Sequence, residues 1–269
     1  MAQQSTSTHD VLKHPSLTRD KAEGQLVLEP LDLAALNPVH PVIHAANAAY
    51  QGANPANVLL VIPTSNKFKV CLLRDHLAAT KPPGVNLDHL EVKADSQVGE
   101  QPLDSAGPQG AVNRVANAAS KLFKDDSKMR DLRERAIGTV IVGAVENFIY
   151  RHASWTDKDG QTVHGPADYG VLVFCRISLV PGRADVERIR WSQLGVSRGV
   201  TVPADFMNFA RTLGFDDEEE LHGKVTVGEV IAANTGIDKA NWHLPLAGAS
   251  RYELLKEAME KMKVPWPET

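Results

Sequence analysis

The sequence predicts a mixed α/β fold: a central sheet with flanking helices and a long hairpin. Three observations carry this. Val58-Leu-Leu-Val-Ile62 and Gly138-Thr-Val-Ile-Val-Gly-Ala-Val145 are continuous apolar runs of strand length, the pattern of strands buried on both faces. Stretches with apolar residues at helical spacing alternate with them. A polar turn containing Asp159-Gly160 separates the Gly138 run from another apolar stretch ending at Val180, which reads as an antiparallel hairpin.

Taken in order, residues 1–24 are polar and unpatterned and read as poorly ordered. An N-terminal extension, 1–55, includes a Leu-, Ala-, Pro- and His-rich part in which Val39–Tyr50 suits a short helix, with Pro38 and Pro41 near its start. His40 and His44 are spaced i,i+4 there, but no third ligand is near, so they read as surface histidines. The domain proper covers 56–269. Its first strand, Val58–Ile62, ends in Pro63-Thr-Ser-Asn66, and Lys67–Ala79 follows as a helix with Phe68, Cys71, Leu72 and Leu77 on one stripe. Leu90–Ala94 reads as a second strand, Ala111–Phe123 as a second helix, Gly138–Glu146 as a third strand and Tyr169–Val180 as a fourth. Pro181–Arg198 looks like a loop. Gly199–Val202 suits a strand, Ala204–Leu213 a helix, and Ser250–Lys263 the last helix. No internal repeat is visible.

Lys and Arg number 29 against 33 Asp and Glu, a net charge of −4, which argues against a nucleic-acid binder. No apolar run approaches the roughly 20 residues of a membrane span. The N-terminus lacks a charged region followed by an apolar one, so the chain is expected in the cytoplasm. The two cysteines, Cys71 and Cys175, lie far apart in apolar stretches and read as buried reduced thiols.

Candidate chemistry centres on Glu146. It ends the most apolar strand, and a carboxylate there is costly unless paired, hydrogen-bonded or bound to a cation. Thr64-Ser-Asn-Lys-Phe-Lys69 joins a buried strand to a helix whose N-terminus favours anions; Asn66 offers hydrogen bonds, and Lys67 and Lys69 offer charge. Glu100 is a possible hard-cation ligand, and Arg114 could reach phosphate oxygens. Asp216–Glu220, five acids in a row, reads as a solvated helix start. There is no Gly-x-Ser-x-Gly elbow, His-Glu-x-x-His pair, Cys-x-x-Cys pair or P-loop.

The ordered set of Thr64-x-Asn66-x-x-Lys69, Ser96-x-Val-x-Glu100-Gln-Pro102, Gly110-Ala-x-Asn-Arg114 and Glu146 resembles the inosine/xanthosine triphosphatase superfamily from about Val58 to the C-terminus. The resemblance implies an elongated molecule with a central cleft, usually dimeric. In active members it implies magnesium-dependent attack of water on a purine nucleoside triphosphate. Asn66 and Lys69 would then hold phosphates, with Thr64 and Arg114 beside them; Glu100 would ligate Mg, and Glu146 would bind the metal or activate water.

Departures are equally visible. Ala106-Gly107-Pro108 replaces the family's Glu-Glu-Thr, and Asn147-Phe148 replaces a small Ala-Gly pair after the strand acid. Phe148 and Trp242 are expected to fill space that a nucleotide would use, and the arginine expected to face the nucleotide is missing near Trp242–Gly248. Val145-Glu-Asn-Phe-Ile149, Thr226-Val-Gly-Glu-Val230, Trp242-His243 and Gly248-Ala-Ser-Arg251 are similar to the animal proline-rich and coiled-coil-containing branch, whose members are regarded as regulatory or trafficking-associated.

Three functions follow as expectations. One is a Mg-dependent nucleotide hydrolase with relaxed motifs. A second is a non-catalytic regulatory or scaffold protein that keeps the fold and a homodimer interface. The third is a repurposed enzyme using Glu146 and His243 as acid and base.

Overall fold

The structure, a computed structural model, describes residues 11–32, 36–45, 48–182 and 185–268. The chain enters through a short helix α1 (Arg19–Ala22) and a two-residue strand β1 (Val27–Leu28). Residues 11–24, expected to be poorly ordered, are seated: Leu17 and Ala22 are buried in a core cluster. The helix expected over Val39–Tyr50 does not form across 39–45, which have no regular structure, and residues 46 and 47 lie outside the described residues. Ile43, Ala45 and Ala48 are nonetheless buried, so the apolar residues serve packing without helical periodicity. The Tyr50 hydroxyl lies 2.8 Å from the Leu132 carbonyl and 2.5 Å from that of Ile137.

β2 (Asn54–Ile62) is fully buried from Val58 on. It leads into α2 (Lys67–Thr80), where the Asn66 side chain accepts from the Phe68 and Lys69 amides. β3 is Asn86–Glu91, four residues earlier than Leu90–Ala94. It pairs parallel with β2 at the sheet edge, and only Leu87 and Leu90 are partly buried while its polar residues are exposed. Val92 and Ala94 are buried and keep single backbone hydrogen bonds to Ile62 and Pro63.

After β4 (Gln101–Pro102), α3 spans Ala106–Phe123 and starts five residues before the expected Ala111. Pro108 sits in its first turn, where a missing N–H breaks no helical hydrogen bond. α4 (Asp126–Glu134) was not expected; it is capped by Asp125 and buries only Met129 and Leu132.

The hairpin is far longer than its apolar core suggests: β5 runs Ile137–Thr156 and β6 runs Thr162–Ser178. They pair antiparallel from Thr139↔Ser178 to Thr156↔Thr162, with Gly160 left-handed in the turn (φ +76). The supposed loop Pro181–Arg198 contains α5 (Asp185–Arg188), β7 (Ile189–Trp191) and β8 (Gly195–Val196), both strands pairing with β6. β9 (Gly199–Thr201) continues along the same strand and receives β1.

α6 (Ala204–Thr212) follows. The acid run Asp216–Glu220 forms no helix; Asp217 instead accepts from the Leu221 and His222 amides as the chain enters β10 (His222–Gly223). α7 (Val227–Thr235), α8 (His243–Ala247) and α9 (Arg251–Glu260) complete the chain. α7 and α9 each begin with a capping box, Thr226 with Glu229 and Ser250 with Glu253.

Among the described residues the main sheet has eight strands, ordered β1-β9-β6-β5-β2-β3 with β7 and β8 on β6. It is mixed: β3, β2 and β5 are parallel and the rest antiparallel. Val140 and Val142 face the α3 side while Ile141 and Val145 face α2 and α9, so the sheet has a core on each face. That two-sided burial is why the strand runs read as continuously apolar. Cys71 and Cys175 are free thiols, and burial pushes the Cys175 thiol up. No helix among the described residues is long and apolar enough to cross a membrane.

Candidate functional site

Glu146 lies within β5, opposite Val171 of β6, with its side chain 8% exposed. α3 and α2 bring cations to it from two directions. Arg114 Nε donates to Oε2 at 2.6 Å, and its Nη1 donates to the Ala94 carbonyl at 2.7 Å. Lys69 Nζ is 3.6 Å from Oε1 and donates to the Val145 carbonyl at 3.0 Å. The Asn147 amide donates to Oε1 at 3.1 Å. Burial pushes the Glu146 carboxyl up, but Lys69 and Arg114 outweigh it and hold the group below the usual carboxylate range. Burial in turn lowers Lys69, only partly offset by Glu146. Glu146 is thus an ionised counter-charge with both oxygens engaged.

A second buried acid faces the same space. Asp168 of β6 accepts from Arg251 Nη2 at 2.5 Å and lies 2.5 Å from His243 Nε2. Burial raises Asp168, and Arg251 and His243 outweigh it, so it too is held ionised. Burial and the neighbouring Arg251 lower His243 despite Asp168, which favours the neutral ring. Trp242 stacks on that ring at 3.8 Å and 22°.

These groups border a cleft of about 400 Å³ whose walls include Asn66, Lys69, Ser96, Glu100, Arg114, Glu146, Thr226 and Trp242. A side lobe of about 320 Å³, walled by Phe68, Leu72, Tyr252 and Leu255, opens from it and shares Asn66, Lys69, Asn147 and Arg251. Two further cavities, around Trp191–Trp266 and around Leu26–Asp32, lie elsewhere on the surface.

Six of the residues singled out in the sequence therefore meet: Asn66, Lys69, Glu100, Arg114, Glu146 and Trp242. Three do not. Thr64 is outside the wall, and its hydroxyl accepts from the Asn66 amide at 3.1 Å, shaping the turn instead. Phe148 is fully buried, packed where a Cβ on Gly107 would come within 2.2 Å of its ring, so it fills core space under α3 and not the cleft. His243 is 1% exposed and pairs with Asp168, so no Glu146–His243 acid/base pair exists.

Sequence reasoning missed Asp168, Asn147, Lys239 and Arg251. Asp168 carries the same signal as Glu146, an acid leading into an apolar strand run. An arginine was expected to be missing near Trp242–Gly248, yet Arg251, just beyond that segment, lines the cleft; Ser250, capping α9, sets it there.

The donor set does not fit a resident Mg at Glu146. Its oxygens already serve two cations and an amide, Glu100 and Asp95 are exposed carboxylates at the cleft wall, and no group of three or more His, Cys, Asp or Glu among the described residues is placed to hold a metal.

No protein-family model matches the chain, and a comparison with curated proteins gives no match. Among solved structures it is similar to protein VC0702 from Vibrio cholerae, at 17% identity over 75% of this chain and 90% of that one, with a TM-score of 0.44.

Proposed function

We propose that this chain is an inosine/xanthosine triphosphatase-like protein of the proline-rich and coiled-coil-containing branch that binds an anionic ligand, of the purine nucleotide class, in its cleft without hydrolysing it. In this reading it serves a regulatory or scaffold role in the cytoplasm as a homodimer. The observation supporting it is the engagement of Glu146. A carboxylate held ionised between Lys69 and Arg114 has little proton affinity near neutral pH and so makes a weak general base. A metal drawn to it would have to displace both cations. Phosphate oxygens, by contrast, could share Lys69, Arg114 and Arg251 with Glu146 and Asp168 without removing either acid.

The competing reading, a Mg-dependent hydrolase, is favoured by Asn66, Lys69, Glu100, Arg114 and Glu146 all lining one cleft. Phosphate release from a panel of nucleoside triphosphates with Mg, compared between wild type and Glu146→Gln, separates them. No turnover by either protein is expected, together with a rise in melting temperature on adding nucleotide. Wild-type turnover that vanishes in Glu146→Gln would establish the hydrolase. Neither turnover nor a melting shift would remove nucleotide as the ligand class.

A further inference from the structure

On a surface that shares no lining residue with the cleft, a groove of about 740 Å³ runs between β7, β8 and the chain that leaves α9. Its walls are apolar and aromatic: Trp191, Leu194, Met262 and Trp266, all partly exposed. Gly195 brings the backbone against Met262, since a Cβ there would lie 2.6 Å from the sulfur. Tryptophan and methionine are suited to this role, one as a large rigid contact and the other as an adaptable one.

The charge of the groove opposes that of the molecule. Arg190, Lys261 and Lys263 line it and no acid does so among the described residues, whereas the whole chain carries −4. Arg190 is 3.8 Å from Glu268, but the two side chains are 62% and 83% exposed, and such a pair is loose and screened. Lys261 and Lys263 form no salt bridge among the described residues. β7 and β8 hydrogen-bond to β6, and no strand among the described residues pairs with their other edge. An open strand edge is a template for an extended peptide.

We propose that this groove docks an extended acidic segment of a partner protein, one that alternates carboxylates with large apolar side chains. The apolar side chains would rest on Trp191 and Leu194, on the α3 side of the sheet, and the carboxylates would face Arg190, Lys261 and Lys263, on the side of Met262 and Trp266. Alternation matters because successive residues of a strand point to opposite sides. The inference is independent of what the cleft binds.

Fluorescence anisotropy of a short labelled peptide alternating Glu with Leu and Phe, titrated with the full chain, tests it. Two control peptides replace Glu by Lys, or Leu and Phe by Ser. The acidic apolar peptide should bind, bind more weakly as salt rises, and lose about tenfold or more in affinity with Lys261→Glu/Lys263→Glu. Trp191→Ala should weaken it as well. The charge reversals sit on exposed side chains, so an unchanged melting temperature confirms that the variant is folded.

Four outcomes would each overturn the proposal. These are absence of binding, equal binding of the Lys control, equal affinity in the charge-reversed variant, and binding of phosphatidylserine vesicles where the peptide fails. A dimer in sedimentation that the same variant dissociates would show that the groove is occupied by a second copy of this chain, and would overturn it too.

Discussion

His243 is a histidine whose charge the fold opposes. It is 1% exposed, its Nδ1 is buried with no hydrogen-bond partner, and Arg251 lies 3.3 Å from Nε2. Burial and Arg251 depress its pKa below the unfolded value of about 6.5. Between the depressed pKa and about 6.5 the unfolded chain binds a proton that the native state does not. Stability from this residue is therefore complete above pH ~6.5 and lost as pH falls below it. Glu146 and Asp168 are depressed as well, with the same sign and a lower window, below about pH 4.3 and 3.9. Urea midpoints should accordingly fall from pH 6.5 to 5, and His243→Asn should flatten that slope. His40 and His76, also lowered by burial, leave part of it in place. A variant that keeps the whole wild-type slope would show that His243 is not the titrating group.

At the scale of elements, α3 and β5 interlock at a single contact. Ala106-Gly107-Pro108 and Phe148 look like separate departures in the sequence, yet they are one contact. Gly107 leaves the room that Phe148 fills, with a hypothetical Cβ 2.2 Å from the ring. Gly107→Ala should cost about 1–3 kcal/mol through overpacking, and adding Phe148→Leu should return part of that loss. Urea denaturation of both single variants and the double variant measures the coupling. Costs that simply add would show that the two positions do not pack together. The same contact explains why Phe148 is absent from the cleft: it shares a face of β5 with Glu146, but its ring is packed against Gly107 under α3 while Glu146 lies nearer the cleft.

The molecule as a whole is closed by its N-terminal extension. β1 completes one sheet edge against β9, Leu17 and Ala22 join the cluster around Trp242, and Leu28, Leu36, Ile43 and Ala48 join the α3-side core. Burying one Leu or Ile side chain contributes roughly 1.5–3 kcal/mol, against a total stability of about 5–15 kcal/mol for a typical domain. Deleting residues 1–53 should abolish a cooperative thermal transition. A soluble truncated protein with an unchanged calorimetric midpoint would show that the extension is a separable appendage.

The sequence by itself determined the mixed α/β class, because strands buried on both faces must be continuously apolar, and the hairpin, because Asp159-Gly160 supplies the turn between two such runs. It also marked Glu146, since an acid at that depth needs partners. It underestimated β5 and β6, whose outer ends are polar and are held by pairing, by Ala153 and by the Arg151–Asp104 ion pair, and missed α4, which buries only two residues. Only the tertiary structure decided the partners. Lys69, Arg114 and Glu146 lie 45 and 32 positions apart in the chain, and Asp168 lies 83 from Arg251, so their meeting depends on how α2, α3 and α9 cross the sheet. Which of two residues on one strand face reaches the cleft is likewise decided by packing, and the space left at Gly107 keeps Phe148 in the core while Glu146 lines the cleft. The physical reason is general: periodicity and burial are local and written along the chain, whereas a charge pair is a contact in space.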